Sequence, residues 1–271
     1  VATGTVRRFM VGDPQVQHID VLAGATIARM ATGEGEAERG EVVADRATVT
    51  RLGNAAHVVA WRECDGEHFA VLEREVPLPT PPPMVQPSSQ LDDAVLRPWL
   101  LPAVVGHFQA GLGEYLTELR LAVALFIRFS GIDYDDDPQA EAKLDRFVRL
   151  AQAVVTRYGG SVLQLTIGDK GSYLYATFGA PSAHEDDAAR TLDAALELRA
   201  AAATSGDLAP LQMGISQGIM RTGAYGGETR RTYGVLGDDV NLAARLMARA
   251  APGEVVVSAM LTGARLDSFV L

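Results

Sequence analysis

A chain of 271 residues, 48% of them apolar and with a formal net charge of −10, has room for one or two domains with sizeable buried cores. The acidic balance is the wrong sign for a protein that neutralises many phosphates and excludes nucleic acid as a partner. The apolar run Leu119–Phe129 is broken by Arg120 and Arg128 and falls short of the roughly 20 residues that cross a bilayer. Val1-Ala2-Thr3-Gly4 offers neither the basic region nor the apolar core of a signal peptide, so a cytoplasmic location without a membrane partner is expected. The single Cys64 precludes a disulfide framework or a Cys-based zinc cluster, fits a reducing compartment and reads as a small, partly buried apolar residue.

Laying the end of the chain over its beginning exposes an internal repeat with a period of about 214. Gly4 lies over Gly218, Gly12 over Gly226, Val21-Leu22 over Val235-Leu236 and, after a one-residue slip, Gly40-Glu41-Val42-Val43 over Gly253-Glu254-Val255-Val256. Residues 1–75 therefore read as the back part of a first, degenerate copy whose front is missing. A start without Met and a stop soon after a strand make the chain a fragment of a longer protein, with further C-terminal domains expected. Residues 76–90 contain Pro77-Leu78-Pro79-Thr80-Pro81-Pro82-Pro83, which lacks ladder donors and reads as a linker. Residues 91–117 form a helical approach segment, a short helix and a longer one ending in Tyr115-Leu116-Thr117-Glu118-Leu119, interrupted at Pro98 and Pro102.

The second copy, 118–271, shows clear switches of period. Leu121–Phe129 is a strand, and Asp133–Pro138 a turn and helix start. Leu144, Phe147, Val148, Ala151, Val154 and Val155 recur at helical spacing until Gly159-Gly160 stops the helix. Val162–Ile167 and Ser172–Phe178 are strands joined by Gly168-Asp169-Lys170-Gly171, with the lysine at the hairpin tip. His184-Glu185-Asp186-Asp187 opens an Ala-rich helix to about Ala203, its acidic first turn matched to the helix dipole. Strands over Leu211–Ile219 and Arg230–Leu236, a helix over Val240–Ala250 and a strand over Glu254–Ser258 complete the pattern. The class is α+β, an α/β sandwich: a ferredoxin-like βαββαβ core with an extra helix and strand, preceded by a partial copy of the same fold.

The sharpest local signal is Tyr233-Gly234-Val235-Leu236-Gly237-Asp238-Asp239-Val240-Asn241-Leu242-Ala243-Ala244-Arg245. A strand ends at Gly237, and the helix after it carries Asn241 and Arg245 one turn apart on one face. A guanidinium that forks onto phosphate oxygens and an amide that orients a ribose or bridging oxygen suit a polyphosphate. The competing reading is an exposed helix face capped by Asp238. The run from Val240 to Met247 strongly resembles the signature helix of class III adenylyl and guanylyl cyclases. Gly168–Gly179 resembles the second catalytic domain of the soluble adenylyl cyclase type, in which two such domains lie in tandem. The resemblance extends to Tyr115–Arg120 and, more weakly, to Thr3–Val43 as the end of the first domain.

That resemblance implies an active site between two pseudo-heterodimerically packed domains, with ATP, or GTP in its place, as substrate. Asn241 and Arg245 take the catalytic roles, orienting the ribose and stabilising phosphate charge while 3′,5′-cyclic AMP and pyrophosphate form. Lys170 contacts the adenine, and Gly234, Val235 and Val240 complete the substrate-binding set. The family's Mg2+ or Mn2+ would have its two aspartates at Arg128 and Ser172, so no metal is expected here and its ligands lie outside these residues. Gly234 stands where an Asp or Thr reads the adenine amino group, which puts base selectivity in doubt. In the first copy, Asp20 falls over Gly234, and Ile27 and Ala31 fall over Asn241 and Arg245. This is a degenerate pocket of the kind that receives bicarbonate in the soluble type, with Arg29 a conceivable contact.

Other candidates favour bland roles. Asp133, Asp135, Asp136 and Asp137 read as a helix-leading turn in preference to a metal loop, Asp169 as a turn residue, and His184 as part of a helix start. Three functional readings follow: one half of a nucleotidyl cyclase in intracellular signalling, a catalytically inactive nucleotide-binding regulatory module, or a ligand-free ferredoxin-like scaffold.

Overall fold

The computed structural model describes residues 1–73, 92–109, 117–168, 171–227 and 231–261. The linker 76–90, Tyr115-Leu116, Asp169, Lys170 and Arg230 lie outside the described residues. In chain order the elements are β1 (Arg7–Val11), β2 (Ile19–Ala23), α1 (Ala25–Gly35), β3 (Val42–Asp45), α2 (Arg46–Leu52), β4 (Val58–Cys64) and β5 (Glu67–Leu72). After them come α3 (Asp93–Leu96), α4 (Pro102–Gln109), β6 (Glu118–Phe129), α5 (Ala140–Arg157), β7 (Ser161–Gly168), β8 (Gly171–Phe178), α6 (Asp187–Ser205), β9 (Gln212–Gly226), β10 (Arg231–Leu236), α7 (Asp238–Arg249) and β11 (Val255–Val257).

The second half is built on β6, a strand buried on both faces and therefore apolar at successive positions. Val123, Leu125, Ile127 and Phe129 enter the core shared with α5 and α6, while Ala122, Ala124 and Phe126 enter the opposite core beneath α7. The sheet runs β10-β9-β6-β8-β7, with β11 parallel to β9. The four strands β9-β6-β8-β7 with α5 and α6 make the ferredoxin-like arrangement. Three expected boundaries change. Glu118 and Leu119 do not end a helix but pair with Thr222 and Arg221, because β9 continues to Gly226 and offers ladder partners to both. The Ala-rich helix starts at Asp187, not His184: the Asp187 carboxylate accepts from the His184 amide at 2.8 Å, holding His184 in the turn ahead of it. The hairpin of β9 and β10 is also several residues longer than its apolar pattern suggests.

In the first half, an antiparallel hairpin (β1, β2), a helix and a strand follow one another, the same order as β9, β10, α7 and β11. Both helices start just after a glycine with positive φ, Gly24 at 115° and Gly237 at 159°, and both following strands are approached through one, Gly40 at 88° and Gly253 at 84°. Matching Gly24 to Gly237 places the slip at Ala23, ahead of the helix. Ala28 and Thr32, not Ile27 and Ala31, then stand opposite Asn241 and Arg245.

Phe9, Val11, Val21 and Ala23 of this hairpin belong to the same apolar core as α5 and β6. Around that contact the Gly12 amide donates to Asp145 Oδ1 at 2.8 Å and the Asp13 amide to Gln152 Oε1 at 2.7 Å, and Gln152 returns a bond to the Gln17 carbonyl at 2.7 Å. Arg7 donates to the carbonyls of Tyr134 and Asp137 at 3.1 and 2.8 Å. No helix among the described residues is long and apolar enough to cross a membrane.

Helix α7 lies unusually close to β9. A Cβ at Gly214 would overlap the Ala243 carbonyl oxygen and the Met247 amide, backbone atoms that cannot step aside. Gly214→Ala is therefore expected to cost about 1–3 kcal/mol through overpacking, read as a lowered melting temperature; an unchanged one would show that α7 has room to shift.

Candidate active site

Helix α7 takes its phase from Val240, Ala243 and Met247, which are buried in the core over β6 at the i, i+3, i+7 spacing of one helical face. Asn241 and Arg245 are consequently exposed and one turn apart. Among the described residues neither side chain forms a hydrogen bond or ion pair. The helix is pinned at both ends to β9: Asp239 Oδ1 accepts from Ser216 Oγ at 2.7 Å, and Gln212 Nε2 donates to the Ala250 carbonyl.

Beside it opens a cavity of about 490 Å3 lined by Phe126, Arg128, Tyr173, Arg245 and Met247 among others. Two of its lining side chains are aromatic, Tyr173 tilted against Phe126 at 5.8 Å, and behind them the buried Tyr175 stacks on Phe126 at 4.6 Å. Tyr175 donates to the Val235 carbonyl at 3.2 Å, and burial pushes its phenol well above the ordinary tyrosine range, so it stays a protonated donor. An apolar floor with two guanidinium groups at its rim suits an anionic ligand that also has a flat apolar part.

Residues 152–267 match the family described as the adenylate and guanylate cyclase catalytic domain. Over those residues the chain is similar to a class III adenylyl/guanylyl cyclase catalytic domain. Adenylate cyclase type 10 of Homo sapiens is 28% identical over 141 residues, covering 50% of this chain and 8% of that protein, and its Oryctolagus cuniculus counterpart matches to the same extent. The chain thus spans only 8% of the length of these curated relatives. The fold is shared with the structure of a bacterial light-regulated adenylyl cyclase, at 18% identity and a TM-score of 0.50, covering 62% of this chain and 52% of that one.

Within this cyclase domain the expected site residues separate by burial. Asn241 and Arg245 face outward. Val235 and Val240 are 1% and 8% exposed, their side chains in the core, so contact with a ligand could involve only their backbone. Gly234 is half-buried on β10, opposite Gly223. Lys170 lies outside the described residues.

At the far end of β6, where the resemblance would place a divalent metal, stand Arg128 and Ser172. The Ser172 hydroxyl shares a hydrogen bond of 2.8 Å with the Tyr134 phenol. A guanidinium and two hydroxyls are not a donor set for Mg2+ or Mn2+, which take carboxylate and carbonyl oxygens. Arg128 also lines a second cavity of about 490 Å3, between the two halves, together with Gly24, Ala28, Tyr134, Asp135 and Ser172. Arg29 does not line it: its guanidinium pairs with Asp45 at 3.3 Å and reaches the Thr3 carbonyl, which corrects its expected role as the anion contact there.

The acidic turn acquired a role that its sequence did not announce. Asp133 Oδ1 accepts from the amides of Asp135 and Asp136, as an Asx turn does. Asp135 then reaches across to the first half and accepts from the Ala25 amide at 2.9 Å, capping α1, whose own N-cap Gly24 has no side chain to do so. Tyr175 carries no local sequence signal of its role, since its hydroxyl meets the Val235 carbonyl only in three dimensions. Tyr175→Phe should keep the ring stack but leave the Val235 carbonyl without its donor, lowering stability by about 1 kcal/mol. Thermal denaturation of the two proteins side by side checks this, and coincident curves would count against the bond.

Proposed function

We propose that the second half of this chain is the nucleotide-gripping half of an adenylyl cyclase active site, converting ATP to 3′,5′-cyclic AMP and pyrophosphate in intracellular signalling. The observation that carries the reading is the pair Asn241 and Arg245, held in phase by a buried helix face, with no side-chain partner among the described residues. In this reading the Arg245 guanidinium spreads the charge that builds on the phosphates, and Asn241 holds the ribose so that its 3′-oxygen lies in line with the α-phosphorus. The 3′-oxygen to phosphorus bond forms as the bond to the bridging oxygen breaks; pyrophosphate departs and the 3′-hydroxyl proton passes to solvent. Lys170, at the tip of the β7–β8 hairpin in sequence, contacts the base.

In this reading the metal carboxylates come from a first catalytic domain of which residues 1–75 are the closing part, a reading supported by the poor fit of Arg128 and Ser172 to a divalent cation. The shared order of hairpin, glycine, helix and strand supports that duplication. The same two residues also favour a second reading, a nucleotide-binding module that does not turn its ligand over.

The deciding experiment expresses the full-length protein and follows cyclic product from ATP or GTP with magnesium or manganese. Asn241→Ala and Arg245→Ala should each lower turnover by about 100-fold or more with melting temperatures unchanged. Wild-type activity retained in both variants would remove the assignment, and nucleotide binding without any product in the wild type would favour the regulatory module.

A further inference from the structure

The β9–β10 hairpin holds a feature that the roles above do not use. Gly234 on β10 pairs with Gly223 on β9, and Tyr225 stands two residues further along β9, on the same face. A Cβ placed on Gly234 would lie 3.0 Å from Cδ2 and 3.5 Å from Cε2 of the Tyr225 ring. The ring therefore occupies the volume into which any side chain at 234 would project. Its hydroxyl is already committed, donating to the Arg221 carbonyl at 2.7 Å, so what Tyr225 turns toward its surroundings is a half-buried aromatic face.

We propose that Tyr225 is the base platform of the nucleotide site, and that the site in consequence accepts purine nucleoside triphosphates with little discrimination between adenine and guanine. The proposal rests on the reading of the β10–α7 segment as the nucleotide site. Its physical basis is that adenine and guanine differ at their hydrogen-bonding edges and share a flat π-face. A side chain with donors and acceptors at 234 would read the edge; a tyrosine ring in the same space stacks on the face, and stacking tolerates either base. Gly234 suits this arrangement, because a Cβ there would press on the ring at 3.0 Å and push it aside.

A tyrosine over a cross-strand glycine can also be simple shielding of the strand, so the test separates stability from affinity. Binding of methylanthraniloyl-ATP and methylanthraniloyl-GTP to the full-length protein is measured by fluorescence, with melting temperatures in parallel. The wild type should bind the two within a few-fold of each other. Tyr225→Ala should weaken both by roughly 10-fold, and Tyr225→Phe should stay within about twofold of wild type, since the ring and not the hydroxyl is used. Tyr225→Leu, which keeps apolar cover over Gly234, should recover the melting temperature but not the affinity. Wild-type affinity in Tyr225→Ala or Tyr225→Leu would overturn the platform, and a wild-type preference for one base above about 100-fold, the scale of polar readout, would overturn the permissiveness. Failure of the wild type to bind either nucleotide would overturn the nucleotide-site reading together with this one.

Discussion

The close approach of α7 to β9 is the contact on which the candidate site depends. Gly214 gives the helix backbone a place to rest where any side chain would collide with Ala243 and Met247, and Ala243 is itself fully buried against the sheet. Contact at this range fixes the helix in rotation as well as position, because small residues let the backbones mesh with little freedom to slide. Ser216–Asp239 at one end and Gln212–Ala250 at the other fix it along its axis. With rotation and translation both set by apolar burial and end contacts, Asn241 and Arg245 are presented outward with no side-chain bond to any other described residue. Binding groups that are held by their scaffold and not by each other remain free for a ligand.

A second constraint joins the halves. The β1–β2 hairpin contributes Phe9, Val11, Val21 and Ala23 to the core of the cyclase domain, and the backbone groups at its edge find side-chain partners on α5 and the acidic turn. Helix α1 is completed by Asp135 from the other half. The outcome is a chain whose two halves meet through a shared core, with Arg128 lining two cavities. Where the resemblance would put metal-binding carboxylates stand a guanidinium and a hydroxyl, Arg128 and Ser172, in a cavity that Asp133 and Asp135 also line.

Much of the architecture was legible from periodicity. The helical spacing of Leu144, Phe147, Val148, Ala151, Val154 and Val155, the two strands around Gly168 and Gly171 and the Asn241/Arg245 spacing each appear in the structure where local pattern put them, within a few residues. The boundaries that moved are those decided by partners distant in sequence. Leu119 looks like the end of an apolar helix, but a ladder partner at Arg221 draws it into β6. Gly24 and Gly237 mark matching helix starts, yet Ala23 shifts the first-copy register by one, which a comparison of strand residues alone placed further along the chain.

Local spacing and the chemistry of single side chains suffice for the class of fold, the order of hairpin, helix and strand, and the pairing of an amide with a guanidinium on one helix. Packing in three dimensions turns Val235 and Val240 inward, holds Arg29 on Asp45, makes Asp135 the cap of a helix in the other half and sets Tyr225 over Gly234. Each of these is a contact between residues far apart in the chain or on neighbouring strands. Its outcome depends on how two elements pack, a quantity that hydrophobic period and residue type leave open.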